Sequence, residues 1–383
     1  MYIRTVALFI LILTSISGIA QSDTGFIFRI NPNVVPLDSA TDNQDLLKSL
    51  HGFLSTKNND LHKNDYWLSS DFVANPAPYK DLYFIEMSGK YQDPFFYKPV
   101  LTGIQILSPA GNYLLKLAFI SQREREAPVL RAIYNIVAVK TPAGFRFKHP
   151  LEARTARWHA TTIADIKFVY PCTFDTAVAE KTVAFNRQLA QRFGVAPIVF
   201  TYYKCTDREE MYRIQGWDYE ARIMADTTGG LAEVERRILF SGNNSEWYPH
   251  EVVHLYINSL YAATLNQVIS EGYPTYLGGS GGQPLSWHLQ QLADFYAAHP
   301  ERSIMADMES GYDVNHQSTV SYVVGGLICQ LVDQQNGWEG IKKLLSAGKQ
   351  YDDFYRSVKE VLQVDKGTFN DFIRRKFALH NKK

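Results

Sequence analysis

The pattern with the clearest chemical content in this chain is His250-Glu251-Val252-Val253-His254. Histidines four residues apart on a helix lie on one face, one turn apart, so both imidazoles can reach a single ion. Zinc accepts neutral imidazole nitrogens at about 2.0–2.1 Å and prefers four ligands. Glu251 follows the first histidine and can reach a metal-activated water as a general base without ligating the metal. The pattern predicts metal-assisted hydrolysis.

A third ligand is expected from Glu271, which is separated from His254 by sixteen residues, 255–270. That interval suffices for a helix end, a turn and the start of a second helix that returns antiparallel. On such a return the carboxylate would stand opposite the two imidazoles. His250, His254 and Glu271 are therefore the predicted ligands of one zinc ion per chain, with Glu251 as the catalytic base.

These residues resemble the gluzincins, the zinc metallopeptidases that combine HExxH with a downstream glutamate. The Glu-Gly-x-x-x-Tyr segment from Glu271 to Tyr276 is similar to that of the aminopeptidase-N family and its relatives in the peptidase MA group. Tyr322-Val323-Val324-Gly325 is similar to that family's Tyr-x-x-Gly helix start. The resemblance extends over roughly residues 165–383. It implies a zinc peptidase domain, a peptide or protein substrate, and Tyr322 as the hydrogen-bond donor to the oxyanion.

The chain also departs from that family. The interval between His254 and Glu271 is shorter than the family's usual one, and the Gly-x-Met-Glu-Asn segment that recognises a free α-amine is not found. The resemblance therefore implies the zinc hydrolase core more than aminopeptidase activity. The oxyanion donor is also left open by the residues alone, since Tyr312 and His316 lie just upstream of Tyr322.

Other candidate residues are interpreted as structural. Tyr276 is expected to pack in the core, and His288 and His299 are expected at the surface or at helix ends. Cys329 lies in an apolar helical stretch and is predicted to be in the core.

Three functions follow from this pattern. The first is a zinc-dependent peptidase. The second is a non-catalytic exported binding protein that retains the zinc site and binds peptide or glycan through its first domain. The third is a zinc hydrolase acting on another amide or ester. The presence of Glu251 favours an enzyme, because a remnant site is expected to lose its base first.

The elements that must position these residues lie in the second of two predicted domains, residues 165–383. Runs rich in β-branched and aromatic residues predict strands, and apolar residues at helical spacing predict helices. The expected order is strand (166–170), helix (174–193), strand (198–203), short helix (207–214) and strands at 222–225 and 236–240. After residue 245 the pattern is almost entirely helical.

The first predicted domain, residues 25–160, begins with a helix that carries Leu46, Leu50 and Phe53 at helical spacing. Five strand-like runs follow, at 82–87, 100–107, 113–120, 130–139 and 145–148. A helix followed by antiparallel strands predicts an α+β domain, and this element order resembles the cystatin-like or nuclear-transport-factor-2-like folds.

Composition argues against one class of partner, and the N-terminal residues predict the compartment. Acidic and basic side chains number 39 each, so the formal net charge is zero, which is not typical of a nucleic-acid-binding protein. Arg4, an apolar run at 6–13 and the small residues ending at Ala20 predict a signal peptide, residues 1–20. We therefore expect export to the periplasm or the extracellular space, with no membrane span after cleavage near Ala20. The pattern does not predict an oligomeric state.

Export would permit disulfides. Cys172 and Cys205 each follow a predicted strand, so a disulfide between them is compatible with the sequence. The alternative is that Cys172, Cys205 and Cys329 are all buried free thiols.

Overall fold

The computed structural model describes residues 26–108, 111–121, 126–221, 223 and 229–380, so the predicted signal peptide lies outside the described residues. The elements up to residue 157 are β1 (Arg29–Ile30), α1 (Ala40–Thr56), α2 (Ser69–Ala74), α3 (Lys80–Glu86), β2 (Tyr97–Ser108), β3 (Asn112–Ser121), β4 (Leu130–Thr141), β5 (Gly144–Lys148) and α4 (Leu151–Thr155).

The following segment contains β6 (His159–Ile163), β7 (Ile166–Tyr170), α5 (Thr176–Phe193), β8 (Phe200–Lys204), α6 (Arg208–Ile214), β9 (Trp217–Glu220), β10 (Gly230–Glu233) and β11 (Ile238–Ser241). The remaining helices are α7 (Pro249–Tyr261), α8 (Gln267–Gly278), α9 (Leu285–Ala298), α10 (Ile304–Ser310), α11 (Val320–Leu345), α12 (Tyr351–Leu362) and α13 (Phe369–Ala378), with a 3₁₀ turn at Lys366–Thr368.

The described residues fall into two compact units. The first contains residues up to Arg157 together with Tyr212 to Ile223, and the second contains Trp158 to Met211 and the chain from Gly229 onward. The mixed α+β class predicted from the sequence is confirmed.

The first unit is built on a sheet in the order β1-β2-β3-β4-β5. Strands β2 to β5 pair antiparallel with their neighbours, and β1 joins β2 in parallel. The helix α1 begins at Ser39, whose hydroxyl accepts the backbone N–H of Asp42, and it buries the apolar stripe Leu46, Leu50, Phe53 and Leu54. This stripe and the inner face of the sheet form the core of the unit.

Two details of the first unit differ from the sequence expectations. Residues 82–87 were predicted as a strand but belong mostly to α3, where Leu82, Ile85 and Glu86 are buried. That spacing is the face of a helix, and the β-branched and aromatic composition of the run concealed it. The second is β9, which was not predicted and pairs antiparallel with β4. The predicted strand at 222–225 lies outside the described residues except for Ile223, so it stays a prediction.

The second unit is built on a sheet in the order β10-β11-β8-β7-β6. Strand β8 is parallel to both β7 and β11, whereas β6 and β10 are antiparallel to their neighbours and lie at the two edges. The buried residues of this sheet and of the helices from α7 onward form one continuous core.

Buried polar contacts fasten α7 inside this unit. Lys204 at the end of β8 forms an ion pair with Glu246 at 2.9 Å, and both side chains are almost fully buried. Thr182 of α5 donates a hydrogen bond to the backbone carbonyl of Glu246 at 2.5 Å, and the Tyr256 hydroxyl donates to Asn186 Oδ1 at 2.6 Å. Because an unpaired buried charge is costly, these contacts fix where the α7 helix begins.

Neither alternative for the cysteines is confirmed in full, because all three are free thiols and one of them is exposed. Cys172 and Cys205 are not joined by a disulfide: Cys172 is exposed, whereas Cys205 is buried. The register of β7 with β8 explains this, because Val169 pairs with Tyr203 and the two cysteines are thus offset by one residue. Cys329 is buried in α11, as predicted. Within the described ranges, no helix has the length and apolar character needed to cross a membrane.

Candidate metal centre

The helix that carries the two histidines begins at Pro249. Proline suits the first turn of a helix because its fixed φ matches the helix and its missing N–H is not needed there. Every residue from Pro249 to Ile257 is buried, so His250, Glu251 and His254 are all held inside the second unit. Burial on all sides explains why Val252 and Val253 are apolar and singles out Glu251 as a buried charge between the two histidines.

The helix α8 returns against α7 as an antiparallel partner. It begins at Asn266, whose side chain accepts the backbone N–H of Val268 at 2.8 Å, and it ends at Gly278. A Cβ atom added to Gly278 would lie 2.5 Å from the backbone nitrogen of His250, so the end of α8 touches the start of α7. The predicted antiparallel return is confirmed, and it places Glu271 beside both histidines.

Three ligand atoms converge between these helices. The Nε2 atoms of His250 and His254 are 3.1 Å apart, and each lies 3.4 Å from Glu271 Oε2. Ligands arranged tetrahedrally at about 2.0–2.1 Å from an ion are separated from one another by about 3.3–3.4 Å. The three predicted ligands therefore form a group that fits one small cation.

The carbonyl of Gly279 orients the first histidine. His250 Nδ1 lies 2.7 Å from this oxygen, so Nδ1 carries the proton and donates it. The lone pair of Nε2 is then directed at the other two ligand atoms, which is the usual arrangement of a metal-binding histidine. Gly279 adopts φ +76° at the end of α8, a left-handed conformation that favours glycine.

The charges within the group indicate a cation site. Burial raises the pKa of the Glu271 carboxyl, but its contacts with the imidazoles of His250 and His254 outweigh the burial and bring that pKa well below its ordinary value. Burial lowers the pKa of His254, but its hydrogen bond to Glu271 and the charges of Glu251 and Glu271 raise it more. Both pKa shifts favour positive charge at the point where the three ligand atoms meet, which is where a metal ion would supply it. His254 Nδ1 is buried and has no hydrogen-bond partner among the described residues.

Glu251 lies at the edge of the sheet as well as beside the ligands. A Cβ atom added to Gly230, the first residue of β10, would lie 2.6 Å from Glu251 Cγ and closer still to the Tyr248 ring. Glycine is therefore required where the edge strand passes the predicted base. The charge of Glu251 also raises the pKa of both His254 and Tyr322, so its carboxylate is near both.

Tyr322 stands on the first turn of α11 and faces the same group. Its ring is nearly parallel to that of His250, with centroids 6.5 Å apart and planes 15° apart. Burial raises the pKa of the Tyr322 phenol, and the charge and hydrogen bond of Glu271 raise it further. The phenol accordingly remains a protonated donor beside two carboxylates.

The alternative donors lie elsewhere. The Tyr312 ring packs on Phe295 and under the Arg302 guanidinium, which lies 4.1 Å from its centroid. His316 is exposed in a turn with φ +61°. Tyr276 is half-buried and donates a hydrogen bond to Asp333 at 3.0 Å.

The surface or helix-end predictions for His299 and His288 have different outcomes. His299 caps the C-terminal end of α9 and is about half exposed, as predicted. His288 lies in the first turn of α9, near a helix end, but the prediction that it lies at the surface is wrong, because its side chain is only 1% exposed. Its position between Leu285 and Leu289 on the apolar stripe of α9 is the sequence signal for burial.

No family model matches the chain, and no curated protein matches it.

Proposed function

We propose that this chain is a zinc-dependent hydrolase of the gluzincin type, and specifically a peptidase. The convergence of His250 Nε2, His254 Nε2 and Glu271 Oε2, beside the buried Glu251, is the observation that carries the proposal. Two imidazoles and one carboxylate are a donor set that zinc uses in catalytic sites, where a fourth position stays open for water or substrate.

Bound zinc would lower the pKa of a water molecule and polarise the carbonyl to be attacked. Glu251 would accept the proton of that water at its carboxylate and deliver it to the leaving nitrogen. The Tyr322 hydroxyl would donate a hydrogen bond to the oxygen of the attacked carbonyl as negative charge develops there. His250 and His254 would keep their Nε2 atoms unprotonated and directed at the ion.

The edge strand β10 supports a peptide as the substrate. Among the described residues, Gly230–Glu233 pair with β11 alone, and all four are half-buried. An extended peptide can add to such an edge through backbone hydrogen bonds. Because Gly230 touches the Glu251 side chain, a peptide added there would bring an amide bond close to the base.

An adjoining cavity could accept a substrate side chain. It has a volume of about 560 Å³ and is lined by Glu235, Asn258, Gln267, Ser270 and Lys349, among others. Asn258 lies one helical turn beyond His254, and Gln267 lies one turn before Glu271. Each of these two lining residues is therefore about 6 Å of helix rise from a predicted metal ligand.

A gluzincin-like domain would lie within residues 165–383, except for Tyr212 to Ile223, which belong to the first compact unit. Those residues would join residues 25–160 in an accessory domain resembling the cystatin-like or nuclear-transport-factor-2-like folds. Export after cleavage near Ala20 would bring the peptidase to substrates outside the cytoplasm.

The decisive experiment is metal analysis of the purified protein together with cleavage of a peptide library, with and without a chelator. We expect one zinc per chain and cleavage that the chelator abolishes and added zinc restores. Stoichiometric zinc without cleavage of any peptide would instead support the exported binding protein. Cleavage of amide or ester substrates other than peptides would support the third function.

A further inference from the structure

The buried His288 ring contacts two segments that both lead to the metal centre. Its Nε2 atom lies 2.9 Å from the Ser280 carbonyl oxygen, and its Nδ1 atom lies 2.9 Å from the Ser318 hydroxyl. Both atoms therefore have partners, which is what a buried imidazole requires. Neither partner is a predicted ligand or catalytic residue.

The first contact acts on the loop that orients His250. Ser280 follows Gly279 directly, and the Gly279 carbonyl accepts the Nδ1 proton of His250. Gly281 and Gly282 come next, both with positive φ and with open space where a Cβ atom would lie. Within the loop, the backbones of Ser280 and Gln283 are hydrogen-bonded to each other, and His288 ties the loop to α9 through the Ser280 carbonyl.

The second contact acts on the start of the helix that carries Tyr322. Ser318 is buried and precedes Thr319, the N-terminal cap of α11. Its backbone N–H donates to Asp313 at 3.2 Å, so the turn before α11 is held by Asp313 and His288 together. A shift of this turn would move Tyr322, which lies only three residues beyond the cap.

The tautomer of His288 is determined by these partners. A carbonyl oxygen can only accept, so Nε2 carries the proton and Nδ1 accepts the hydroxyl hydrogen of Ser318. Burial lowers the pKa of His288, and this favours the neutral ring that such an arrangement needs. One neutral imidazole can therefore hold both segments at once.

We propose that His288 is a positioning residue that joins the loop orienting the His250 ligand to the turn that places Tyr322. The first arm of the proposal runs from His288 through Ser280 to His250 and concerns metal binding alone. The second arm runs from His288 through Ser318 to Tyr322 and rests on the proposed hydrolase function. The two arms can therefore be tested separately.

The test compares the variants H288L, H288Q and S318A with the wild-type protein, and H299Q serves as the control on the same helix. Leucine removes both contacts. Glutamine retains a donor that can reach the Ser280 carbonyl, and S318A removes the second contact only. Metal affinity is measured by competition with a chelator, and the absorption spectrum of the cobalt-substituted protein reports ligand geometry. Turnover is measured on fully metal-loaded protein.

We expect H288L to lower metal affinity about tenfold, since groups behind a histidine ligand typically contribute 10–100-fold. The cobalt spectrum should change with it. H288Q should restore affinity to within about threefold, and S318A should leave affinity and spectrum unchanged but lower turnover about tenfold, since small displacements of catalytic groups are costly. H299Q should match the wild type in every measurement.

Wild-type metal affinity and an unchanged cobalt spectrum in H288L would overturn the first arm. Full turnover in S318A would overturn the second arm, and this variant decides it even if H288L does not fold. If H288L does not fold, H288N replaces it, because the shorter amide side chain does not reach the Ser280 carbonyl, and wild-type metal affinity with an unchanged cobalt spectrum in H288N would overturn the first arm. Failure of the proposed peptidase function would remove turnover from wild type and variants alike, while the metal-affinity comparison would still stand.

Discussion

Gly272 and Gly325 bring the helix of the third ligand into backbone contact with the helix of Tyr322. A Cβ atom added to Gly272 would lie 2.5 Å from the Gly325 Cα atom, and one added to Gly325 would lie 3.0 Å from the Gly272 Cα atom. The contact between α8 and α11 therefore depends on the absence of side chains at both positions. It sets the distance between Glu271 and the first turn of α11.

A methyl group at this crossing should separate the two helices. We expect G325A to lower the free energy of unfolding by about 1–3 kcal/mol, the usual cost of overpacking, and to reduce turnover as Tyr322 moves. Urea denaturation checks the stability. The matched control is G367A, where an added Cβ meets nothing within 4 Å and stability should stay within about 1 kcal/mol of wild type. Equal stability of G325A and G367A would contradict the close contact.

Removal of the predicted base should separate catalysis from metal binding. We expect E251Q to lower turnover by about two to four orders of magnitude, because only the proton acceptor is lost, while its zinc content stays at the wild-type level. Metal analysis and peptide cleavage measure the two effects, with the exposed Glu339→Gln as the control. Loss of zinc in E251Q would assign Glu251 a structural role.

Removal of a metal ligand, unlike removal of the base, should weaken zinc binding. We expect E271Q to bind zinc much more weakly than wild type, because a neutral amide replaces the carboxylate that offsets the charge of the ion. Calorimetric titration of the metal-free protein measures this. Excess zinc should also raise the melting temperature of wild type more than that of E271Q, since an ion that binds only the folded state stabilises it. Equal zinc affinity of the two proteins would remove Glu271 from the ligand set.

Replacing each of two tyrosines by phenylalanine, in separate variants, should identify the oxyanion donor. We expect Y322F to lower turnover by about two to three orders of magnitude, the usual loss for one such donor, with zinc content unchanged. Y312F is the matched variant, because its ring packs on Phe295 and Arg302 and should contribute little to turnover. A large loss in Y312F with a small one in Y322F would reverse the assignment.

The stability of the metal-free protein should depend on pH through His288. Burial lowers the pKa of this ring below its ordinary value of about 6.5. As the pH falls below that value, the unfolded chain takes up a proton that the folded chain still excludes, so the stability contributed by neutral His288 is lost. H288Q cannot take up this proton. We therefore expect the stability difference between wild type and H288Q to shrink from about pH 7 to about pH 5. Urea denaturation at several pH values measures it, and a constant difference would contradict the prediction.

Periodic patterns in the sequence determined most of the element types. The alternating apolar runs at 100–107, 113–120, 130–139 and 145–148 became β2 to β5, and the apolar residues at helical spacing from Leu46 to Leu54 became α1. These patterns are local, because side-chain direction repeats every two residues in a strand and every 3.6 in a helix. At residues 82–87 the composition indicated a strand, whereas the spacing of the buried residues is that of a helix. The structure there is a helix, so the spacing was the better guide.

Some features of the candidate site also follow from local sequence patterns, whereas others depend on the tertiary structure. His250 and His254 are one turn apart on a single helix, so the sequence by itself determined that they share a face, and the interval to Glu271 predicted its return. Only the tertiary structure decided that the Gly279 carbonyl orients His250, that Gly230 passes Glu251, and that His288 is buried between Ser280 and Ser318. These contacts join segments far apart in the chain, and no periodicity encodes them. They depend on how closely backbones can approach, which is known only once the helices and strands have packed.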